Sequence, residues 1–466
     1  MKIKNICCIG AGYVGGPTMA VIALKCPNIE VNVVDINKDK ISLWNSDDLS
    51  KLPVNEPGLA EIIKTTRNKN LFFSNNIDTA IKDAEIIFLA VNTPTIQEGP
   101  GKGKAADLKY IIKSAERISR VAKGKKIIVE KSTLPVKTAE KLKEVISLNS
   151  SNLDFEIVSN PEFLAEGTAI NDLFKSDRVL IGGEETISGR KAVQVLSSIY
   201  ENWIPKEKII KTNIWSSELS KLVSNAMLAQ RISSINSLTE LCEKTGADID
   251  EISEVVGADI RIGPRFLKAS VGFGGSCFQK DILNLVYICE LYNLEEAARY
   301  WHGVIKINDF QKNNFSRKLI NSYNSQSKPN NVTILGWAFK KNTNDSRESA
   351  AIYIANNLLN AKIPIKIYDP LVKKDQIIND LEYLFSYQKF DEDQIKDKLK
   401  LIDVFDNAND ACNNSNTIAI VTEWDEFTEI DWNSIVESNG AIDLYDGRNI
   451  LSKQLFKDTS VNYYKL

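Results

Sequence analysis

The segment Val271–Asp281, with the sequence VGFGGSCFQKD, combines residue types that nucleophilic catalysis needs. Its three glycines allow backbone to lie against a ligand, and the spacing of Ser276 and Gln279 resembles a capping box that starts a helix. Cys277 would then lie in the first helical turn, where the helix dipole and a nearby lysine stabilise a thiolate. Asp281, four residues later, would share that helix face and orient a lysine or a water. The segment favours a nucleophilic cysteine over a buried structural cysteine beside a glycine-rich loop.

Two further segments carry polar side chains suited to the same chemistry. In SELSKLVSNAM, Lys221 and Asn225 are four residues apart on one predicted helix face, where a lysine can polarise an oxygen or manage a proton. In SNPEFLAEG, Glu162 and Glu166 follow a predicted strand end, which is where open α/β sheets usually bind ligands. The alternative for each charge is a solvated surface position.

A glycine-rich turn near the beginning of the sequence predicts a dinucleotide site. The strand KNICCI runs into GAGYVG at Gly10–Gly15, and an apolar helix follows. The first glycine permits the tight turn, the second lets backbone approach a pyrophosphate, and the third allows close packing of helix on strand. Asp35 ends the next predicted strand, where a carboxylate binds ribose hydroxyls and repels a 2′-phosphate. NAD is therefore predicted over NADP, although the nearby Lys40 complicates that preference.

The composition argues against several classes of protein. A chain of 466 residues, 43% of them hydrophobic, buries more than one core, so two or three domains are expected. A net charge of −3 with intermixed lysines and carboxylates argues against a nucleic-acid partner. No apolar run approaches the roughly 20 residues that cross a bilayer, so a cytoplasmic enzyme without a membrane partner is expected.

Cysteine and histidine usage narrows the possible mechanisms. The seven cysteines are scattered and include no CxxC pair suited to zinc, so reduced thiols and no metal site are expected. The six besides Cys277 are interpreted as small core residues. The single histidine, His302, lies on a predicted long helix and is expected to be structural. Acid-base work must then fall mainly to lysine, glutamate, aspartate and bound water.

The order of apolar segments predicts three domains. About 210 residues alternate short β-branched runs with amphipathic stretches, which favours a parallel α/β sheet. Helical periodicity follows from Trp215 to about Tyr323, the polar segment Asn324–Asn331 is a linker candidate, and strands then return. The predicted domains are residues 1–213, 214–325 and 326–466. The last one lacks a glycine-rich turn, so it is not expected to bind a second dinucleotide in the same way.

Taken together and in order, these segments resemble the UDP-glucose/GDP-mannose dehydrogenase family, and within it the members that act on UDP-glucose. The resemblance runs over nearly the whole chain and rests on GAGYVG, EKSTLPV, SNPEFLAEGTAI, RVLIGG, SSELSKLVSNAMLAQRISSIN, KASVGFGGSCFQKD, LGWAFKKNTNDSRES, IYDP and YDGR. It implies two Rossmann-like, doubly wound parallel-sheet domains joined by a helical central domain. It also implies self-association, to dimers and commonly to hexamers.

The resemblance implies that the glucose C6 alcohol of UDP-glucose is oxidised to the carboxylate of UDP-glucuronate while two NAD are reduced. Cys277 would attack the aldehyde formed by the first oxidation, and the thiohemiacetal would lose a second hydride to become a thioester that water hydrolyses. Lys221 is implied to stabilise oxygen charge with help from Asn225, and Asp281 to hold Lys221 or the hydrolytic water. Glu162 is implied as the base of the thioester chemistry.

The remaining site residues are carried over from the family by position. Thr133 is implied to position a water, and Arg261 to reach into a neighbouring subunit. The implied NAD contacts are Gly10, Ala11, Gly12, Tyr13, Val14, Gly15, Asp35, Lys40, Val91, Asn92, Thr93, Pro94, Thr95, Ser132, Thr133, Glu166, Lys280 and Arg347. The implied substrate contacts are Glu162, Phe163, Leu164, Lys221, Asn225, Arg261, Lys268, Phe273, Gly274, Phe339, Lys340 and Arg448.

Three positions depart from the family pattern and leave local geometry open. Asn55 stands where relatives often carry tyrosine, and Asn342 and Asn344 replace an aspartate and a glycine. Alternative functions are a four-electron oxidation of UDP-N-acetylmannosamine or GDP-mannose, a two-electron hydroxyacid dehydrogenase, and an NAD-binding regulatory protein without activity. The motifs FGGSC and NPEFLAEG favour UDP-glucose as the substrate, and only a four-electron oxidation needs the thiol.

Overall fold

The computed structural model describes residues 3–150, 153–327, 329–457 and 459–466. The chain divides into two compact units, Met1–Ser224 and Asn225–Leu466. The division falls within helix Ile214–Asn236. The first boundary predicted from the sequence, residue 213, lies directly before this helix. The division into three domains at residues 213 and 325 stays a prediction.

The first unit alternates strands and helices, as predicted. Its strands are β1 (Asn5–Ile9), β2 (Glu30–Val34), β3 (Leu71–Ser74), β4 (Ile86–Leu89), β5 (Lys125–Glu130), β6 (Asp154–Ser159), β7 (Val179–Gly183) and β8 (Ile209–Asn213). Its helices are α1 (Gly15–Lys25), α2 (Lys38–Trp44), α3 (Leu59–Thr66), α4 (Ile77–Asp83), α5 (Lys109–Val121), α6 (Thr138–Asn149), α7 (Ala169–Phe174), α8 (Ile187–Tyr200) and the first half of α9 (Ile214–Asn236). Short 3₁₀ helices occupy Leu49–Lys51 and Lys206–Lys208.

One sheet forms the centre of this unit, with the strand order β3-β2-β1-β4-β5-β6-β7-β8. All of its pairings are parallel except β6 with β7. Both faces of the sheet are covered: in β1, Ile6 and Cys8 join one buried apolar cluster while Cys7 and Ile9 join the other. Burial on both faces explains why the strands read as nearly continuous apolar runs.

The second unit begins with helices and ends with a second sheet. Its helices are the second half of α9, α10 (Thr239–Thr245), α11 (Ile249–Ala258), α12 (Phe278–Leu291), α13 (Glu295–Ser325), α14 (Ala350–Asn360), α15 (Lys374–Tyr387), α16 (Glu392–Leu399), α17 (Ala408–Cys412) and α18 (Trp432–Asn439). Its strands are β9 (Val332–Leu335), β10 (Ile365–Tyr368), β11 (Ile402–Val404), β12 (Thr417–Ile420), β13 (Ile442–Asp446) and β14 (Val461–Lys465). Short 3₁₀ helices lie at Asp425–Thr428 and Lys453–Phe456.

The second sheet repeats the doubly wound pattern of the first. Its order is β11-β10-β9-β12-β13-β14, and every pairing is parallel. In both sheets the first strand in sequence lies between the second and the fourth. The strand order therefore reverses direction there, which opens a crevice at the carboxyl ends of the strands.

The fold class predicted from the sequence is confirmed, with differences in detail. Every predicted strand is present, but β8 and β14 were not predicted. β8 follows the polar turn Lys206–Lys208 and is itself mostly exposed or half-buried, so it lacks the apolar run of a central strand. The predicted linker Asn324–Asn331 begins too early, because α13 continues through Ser325, and its residue 328 lies outside the described residues. Within the described part of the chain, none of the helices has the length and hydropathy to span a bilayer.

Candidate active site

The glycine turn after β1 has the geometry of a dinucleotide cradle. Gly10 has a φ of +113°, and a Cβ there would lie 2.2 Å from the carbonyl oxygen of Ala90. A Cβ at Gly15 would lie 2.0 Å from the oxygen of Gly10, so this residue permits α1 to pack against the strand. A Cβ at Gly12 would meet no atom within 4 Å. The turn thus leaves space at Gly12 for a pyrophosphate, and α1 has no acidic residue in its first turn to repel one.

Asp35 follows β2 and is held by the same turn. Its Oδ2 accepts a hydrogen bond from the backbone N–H of Ala11 at 3.0 Å, and its Oδ1 accepts one from Asn37 at 2.9 Å. The ammonium of Lys40 lies 3.3 Å from Oδ2. Lys40 was expected to complicate the preference for NAD, and this contact gives the reason. The lysine neutralises part of the Asp35 charge that excludes a 2′-phosphate.

The carboxyl ends of β4 and β5 bring together more of the predicted cofactor contacts. The hydroxyl of Thr93 donates to the carbonyl of Thr133 at 3.1 Å, and the hydroxyl of Ser132 donates to the carbonyl of Val91 at 2.6 Å. Thr95 pairs with Ala106 in an isolated antiparallel bridge. Asn92 and Pro94, in the same loop, are exposed. These bonds fix the loop after β4 at the point where the strand order reverses.

Glu162 lies in the loop after β6 and is paired with a buried lysine that the sequence reasoning did not single out. The Oε2 atom of Glu162 is 2.8 Å from the Nζ of Lys131, and its Oε1 accepts the N–H of Phe163 at 2.9 Å. Burial is the largest influence on the pKa of Glu162 and would raise it. The attraction and hydrogen bond of Lys131, the N–H of Phe163 and the charge of Lys221 together outweigh burial and hold that pKa below its usual value. Glu162 is therefore a carboxylate at neutral pH.

Lys221, on α9, is 8% exposed and lies near the same loop. Its Nζ is 5.2 Å from the centre of the Phe163 ring, on which the guanidinium of Arg178 also stacks at 4.0 Å. Leu164, the next residue, packs against the buried core of the unit. Glu166 is half-buried beyond it. The loop after β6 therefore groups Glu162, Phe163 and Lys221, as a shared site requires.

The cysteine loop lies in the second unit, and its helix begins differently from the prediction. Cys277 is the N-cap of α12, one residue before the helix, and no side chain caps it. The predicted capping box of Ser276 and Gln279 is wrong, because Gln279 instead donates to Oε2 of Glu348 at 2.9 Å. The side chain of Cys277 is exposed. A thiol at an N-cap still lies in the positive potential of the helix end.

Buried side chains hold this loop rigidly. Asn308 of α13 accepts the N–H of Phe273 at 2.8 Å and donates to its carbonyl at 3.1 Å. The N–H of Gly275 donates to the carbonyl of Arg347 at 2.8 Å. A Cβ at Gly274 would lie 2.5 Å from the carbonyl oxygen of Glu348, so glycine is needed for the two backbones to meet. The position of Cys277 is thereby set by two separate elements.

Asn225 and Asp281 form a buried pair in this unit. The Nδ2 of Asn225 donates to Oδ2 of Asp281 at 2.6 Å, and both side chains are nearly inaccessible to solvent. The N–H of Asp281 donates to the carbonyl of Cys277 at 2.9 Å, as expected one helical turn along. Asn225 and Asp281 were both predicted as site residues. Asp281 lies one helical turn from Cys277, and Asn225 contacts Asp281.

A second group of predicted substrate contacts surrounds the cysteine loop. The guanidinium of Arg448 donates to the carbonyl of Phe339 at 3.0 Å and lies 3.3 Å from the carboxylate of Glu423. The Phe339 ring is the nearest neighbour of a Cβ built at Gly275, and the ammonium of Lys340 lies 5.6 Å from that ring. Arg347 pairs with Asp345 at 2.7 Å. These contacts join Phe339 to Gly275 and, through Phe339, to Arg448.

Some predicted residues stand apart from these groups. Arg261 is 85% exposed and pairs with Asp259, and Lys268 is also exposed. Among the departures from the family pattern, Asn55 is exposed and Asn342 adopts a left-handed φ of +64°, a conformation that asparagine tolerates better than most residues. The carbonyl of Asn344 accepts a hydrogen bond from Gln376.

The cysteines differ sharply in environment. The six besides Cys277 are buried, as predicted. Burial raises the pKa of Cys7 to about 12, of Cys26 to about 11 and of Cys412 to about 12, and it raises the pKa of Cys8 well above its usual value. Those thiols stay protonated and unreactive at neutral pH. Among the cysteines, only Cys277 combines exposure with a helix N-terminus.

The second unit repeats the aspartate but not the cradle. Asp369 follows β10 as Asp35 follows β2, and its oxygens accept five N–H groups, from Trp337, Ala338, Leu371, Val372 and the indole of Trp424. A carboxylate whose lone pairs are all engaged has none left for a ribose. The fully buried Trp337 moreover occupies the turn itself.

Sequence reasoning missed several side chains that organise the site. Lys131, Asn308 and Glu348 act on Glu162, Phe273 and Gln279 respectively. Lys131 lies within the EKST segment that was recognised, directly before two predicted site residues. No local sequence pattern identifies Asn308, because its role depends on contact with the backbone of Phe273, 35 residues away.

Comparisons with known proteins agree with this geometry. Three domains of the UDP-glucose/GDP-mannose dehydrogenase family match the chain in order: the NAD binding domain at residues 4–204, the central domain at residues 215–310 and the UDP binding domain at residues 333–453. Among solved structures, a UDP-glucose dehydrogenase from Pyrobaculum islandicum is similar, with a TM-score of 0.83 and 26% identity over 100% of this chain and 98% of that one.

Curated relatives are more similar in sequence. UDP-glucose 6-dehydrogenase 3 of Oryza sativa subsp. japonica is 52% identical over 99% of this chain and 96% of its own length. UDP-glucose 6-dehydrogenase of Drosophila melanogaster is 54% identical over 97% of this chain and 93% of its own length. Identity at this level over nearly the full length, with all three family domains matched in order, shows that the chain belongs to the UDP-glucose/GDP-mannose dehydrogenase family.

Proposed function

We propose that this chain is an NAD-dependent dehydrogenase that oxidises the C6 alcohol of UDP-glucose to the carboxylate of UDP-glucuronate. The observation that carries the proposal is the exposed thiol of Cys277, held at the N-terminus of α12 by a glycine-rich loop. A two-electron dehydrogenase has no use for such a thiol, whereas oxidation of an aldehyde to an acid needs a nucleophile. The curated relatives that act on UDP-glucose support the choice of substrate.

The first unit is suited to hold NAD, which when bound accepts a hydride in each oxidation. The turn at Gly12 leaves room for the pyrophosphate, and the Asp35 carboxylate lies beside it for the adenosine ribose. The loops after β4 and β5, with Thr93 and Ser132, lie where the strand order reverses and would line the nicotinamide half. The remaining cofactor contacts, including Glu166, Lys280 and Arg347, are proposed on the family resemblance alone.

In the first oxidation the C6 hydroxyl would lose a proton to water and C6 would lose a hydride to bound NAD, which leaves an aldehyde. The ammonium of Lys221 would stabilise the developing oxygen charge, with Asn225 as a second donor. Asp281 fixes Asn225 through the bond at 2.6 Å and so sets which way the amide points.

In the second oxidation the sulfur of Cys277 forms a bond to C6 of the aldehyde, and the resulting thiohemiacetal carries the same hydride-bearing carbon. Loss of that hydride gives a thioester. A water then bonds to the acyl carbon, its proton passes to Glu162, and the carbon–sulfur bond breaks to release the acid and restore the thiolate. Thr133 would position this water.

The second unit is proposed to hold the nucleotide half of the substrate. Direct contacts join the cysteine loop to Phe339 and Arg448. The base and diphosphate of the substrate would therefore be bound beside the thiol. Each proposed domain has one role. Residues 1–213 would hold NAD, residues 214–325 would form the helical centre, and residues 326–466 would hold the UDP-sugar.

Self-association to a dimer, and further to a hexamer, belongs to the proposal. The second unit exposes several large apolar side chains around α11 and α12, namely Val255, Ile260, Leu291 and Leu294. Exposed apolar side chains such as these would be covered where two subunits meet. Arg261, next to Ile260, would on this arrangement extend toward a partner subunit. A cytoplasmic location is proposed on the same family grounds.

The test is the stoichiometry of NADH formed with UDP-glucose, with UDP-N-acetylmannosamine and GDP-mannose as competing substrates. We expect two NADH for each uronate and fastest turnover with UDP-glucose. The variant Cys277→Ala should lose release of the acid by at least about 1,000-fold, a loss typical of a removed nucleophile. Full acid production by that variant, or faster turnover of either competitor, would contradict the proposal.

A further inference from the structure

Lys131 is the first residue after β5, and its side chain is only 2% exposed. A lysine so deeply buried is uncommon and needs compensation for the water it loses. Its ammonium faces the Glu162 carboxylate at 2.8 Å. A charged side chain kept here in place of an apolar one of equal size serves some purpose other than packing.

Two further side chains use the remaining hydrogens of the Lys131 ammonium. Nζ donates to Oδ1 of Asn160 and to the hydroxyl of Tyr200, both at 3.3 Å. The Tyr200 hydroxyl in turn donates to Oδ1 of Asn160 at 2.6 Å, and the Asn160 amide donates to the carbonyl of Leu180 at 2.8 Å. The ammonium has three donors and all three are engaged, so it is fixed in position and direction.

The charges around Glu162 show what the lysine does. The groups of the first unit that face this carboxylate are Lys131 after β5, Tyr200 on α8 and Lys221 on α9. Burial raises the pKa of Tyr200, so it stays neutral and contributes only hydrogen bonding. Burial on its own would lower the pKa of Lys131, but attraction to Glu162 outweighs burial and raises it, so the lysine stays charged. Lys131 is thus the closest permanent positive charge to the carboxylate.

We propose that Lys131 is a positioning residue that keeps Glu162 ionised and aimed for the hydrolysis of the thioester. This inference rests on the proposed function, in which Glu162 takes a proton from the attacking water while the carbon–sulfur bond breaks. In this role Lys131 acts only through Glu162. Without it, only the N–H of Phe163 and the weaker attraction of Lys221 would oppose burial, so Glu162 would take up a proton at a higher pH and lose its fixed direction.

The experiment measures the lifetime of the Cys277 thioester as a function of pH. Enzyme and UDP-glucose are mixed with excess NAD and quenched in acid at successive times, and the fraction of acylated chain is read by mass spectrometry. In Lys131→Met the acidic limb of the hydrolysis rate should move upward by about one pH unit or more, the usual size of a lost charge pair. On this acidic limb, lowering the pH by one unit should lengthen the lifetime of the thioester about tenfold.

Three control variants separate this role from a merely structural one. Tyr200→Phe removes a hydrogen bond but leaves the charge pair, so its acidic limb should stay close to that of the parent enzyme. Lys131→Gln keeps a donor but no charge, and should move the limb as Lys131→Met does. In a Glu162→Gln background, Lys131→Met should have no further effect on the pH dependence, because its target is already neutral.

The possible failures are distinguishable. An unmoved limb in both Lys131→Met and Lys131→Gln, with slow hydrolysis in Glu162→Gln, would overturn the role of Lys131 and leave the proposed function standing. A thioester that never forms on Cys277, or hydrolysis unaffected by Glu162→Gln, would instead overturn the proposed function itself. If Lys131→Met does not fold, the Lys131→Gln profile alone decides.

Discussion

Two glycines of one turn are needed for opposite reasons. At Gly10 the backbone itself excludes a side chain, since φ is +113° and the carbonyl oxygen of Ala90 lies where a Cβ would be. At Gly12 nothing in the protein excludes one, because no atom lies within 4 Å of the Cβ position. The first glycine is thus required by the fold, and the second only by whatever fills the space above it.

This difference predicts contrasting alanine variants. Gly10→Ala should lower the free energy of unfolding by at least about 1–3 kcal/mol through backbone strain and overlap, seen as a lower melting temperature. Gly12→Ala should melt as the parent protein does, yet bind NAD about tenfold more weakly, equal to about 1.4 kcal/mol. Calorimetric titration with NAD measures the second effect. Unchanged NAD affinity in Gly12→Ala would show that the dinucleotide does not approach this turn.

At the scale of elements, two buried carboxyl groups, one on β5 and one on α9, lie beside the N-terminus of α6. Glu218 of α9 accepts the N–H of Lys137 at 2.7 Å and of Ala139 at 2.8 Å, so it caps the N-terminus of α6. Glu130, the last residue of β5, is 1% exposed and faces Glu218. Burial first, and the neighbouring charge of Glu218 second, raise the pKa of Glu130 well above its usual value. Burial raises the pKa of Glu218 too, but its two backbone N–H donors favour its charged form, so of the two carboxyls Glu130 keeps a proton more readily.

The raised pKa of Glu130 makes stability depend on pH. The folded protein keeps this proton at pH values where the unfolded chain, with its ordinary pKa near 4.5, has lost it. The stabilisation is therefore complete below that value and declines as pH rises toward the folded pKa, by about 1.4 kcal/mol per unit. Glu130→Gln is always neutral and can donate to Glu218, so it should gain stability over the parent protein as pH rises from about 5 to about 8.

Urea unfolding at several pH values measures this gain. The control is Glu144→Gln, which changes a solvent-exposed glutamate of α6 that pairs with Lys141. The stability difference between Glu144→Gln and the parent should hardly vary with pH. An equally flat difference for Glu130→Gln would mean that Glu130 is not protonated in the folded protein.

These elements also show how far sequence reasoning reaches. The glycine turn, the strands of both sheets other than β8 and β14, and the order of the family's segments were predictable, because each has a local pattern of residue types. The group around Glu162 was not, since Lys131, Asn160 and Tyr200 come from three elements and meet only through the packing of β5, β6 and α8. The antiparallel reversal at β7 was likewise hidden, because apolar periodicity does not report strand direction. The failed capping box has a similar cause: Gln279 finds Glu348, 69 residues away, in place of its own helix end.

At the scale of the whole chain, two sheets of the same strand order have been put to different uses. Each carries an aspartate after its second strand, and in each that aspartate accepts a backbone N–H from the turn after the first strand. Asp35 lies beside a glycine with open space, whereas Asp369 is saturated by five donors and lies beside a buried tryptophan. The same position thus lies beside open space in one unit and is filled by the protein's own donors in the other.

The chain should accordingly bind one NAD, not two. Calorimetric titration should give one NAD site per chain, and Asp35→Ala should weaken that site by about tenfold, since the ribose loses its acceptor. Asp369→Ala should leave NAD affinity unchanged but lower the free energy of unfolding by about 1–3 kcal/mol or more, because buried N–H groups lose their acceptor. The two variants serve as controls for each other, because both remove a carboxylate that accepts backbone N–H groups and only Asp35→Ala should weaken NAD binding. Two NAD sites per chain, or an equal loss of NAD affinity in both variants, would mean that the second sheet has kept a dinucleotide site despite its occupied turn.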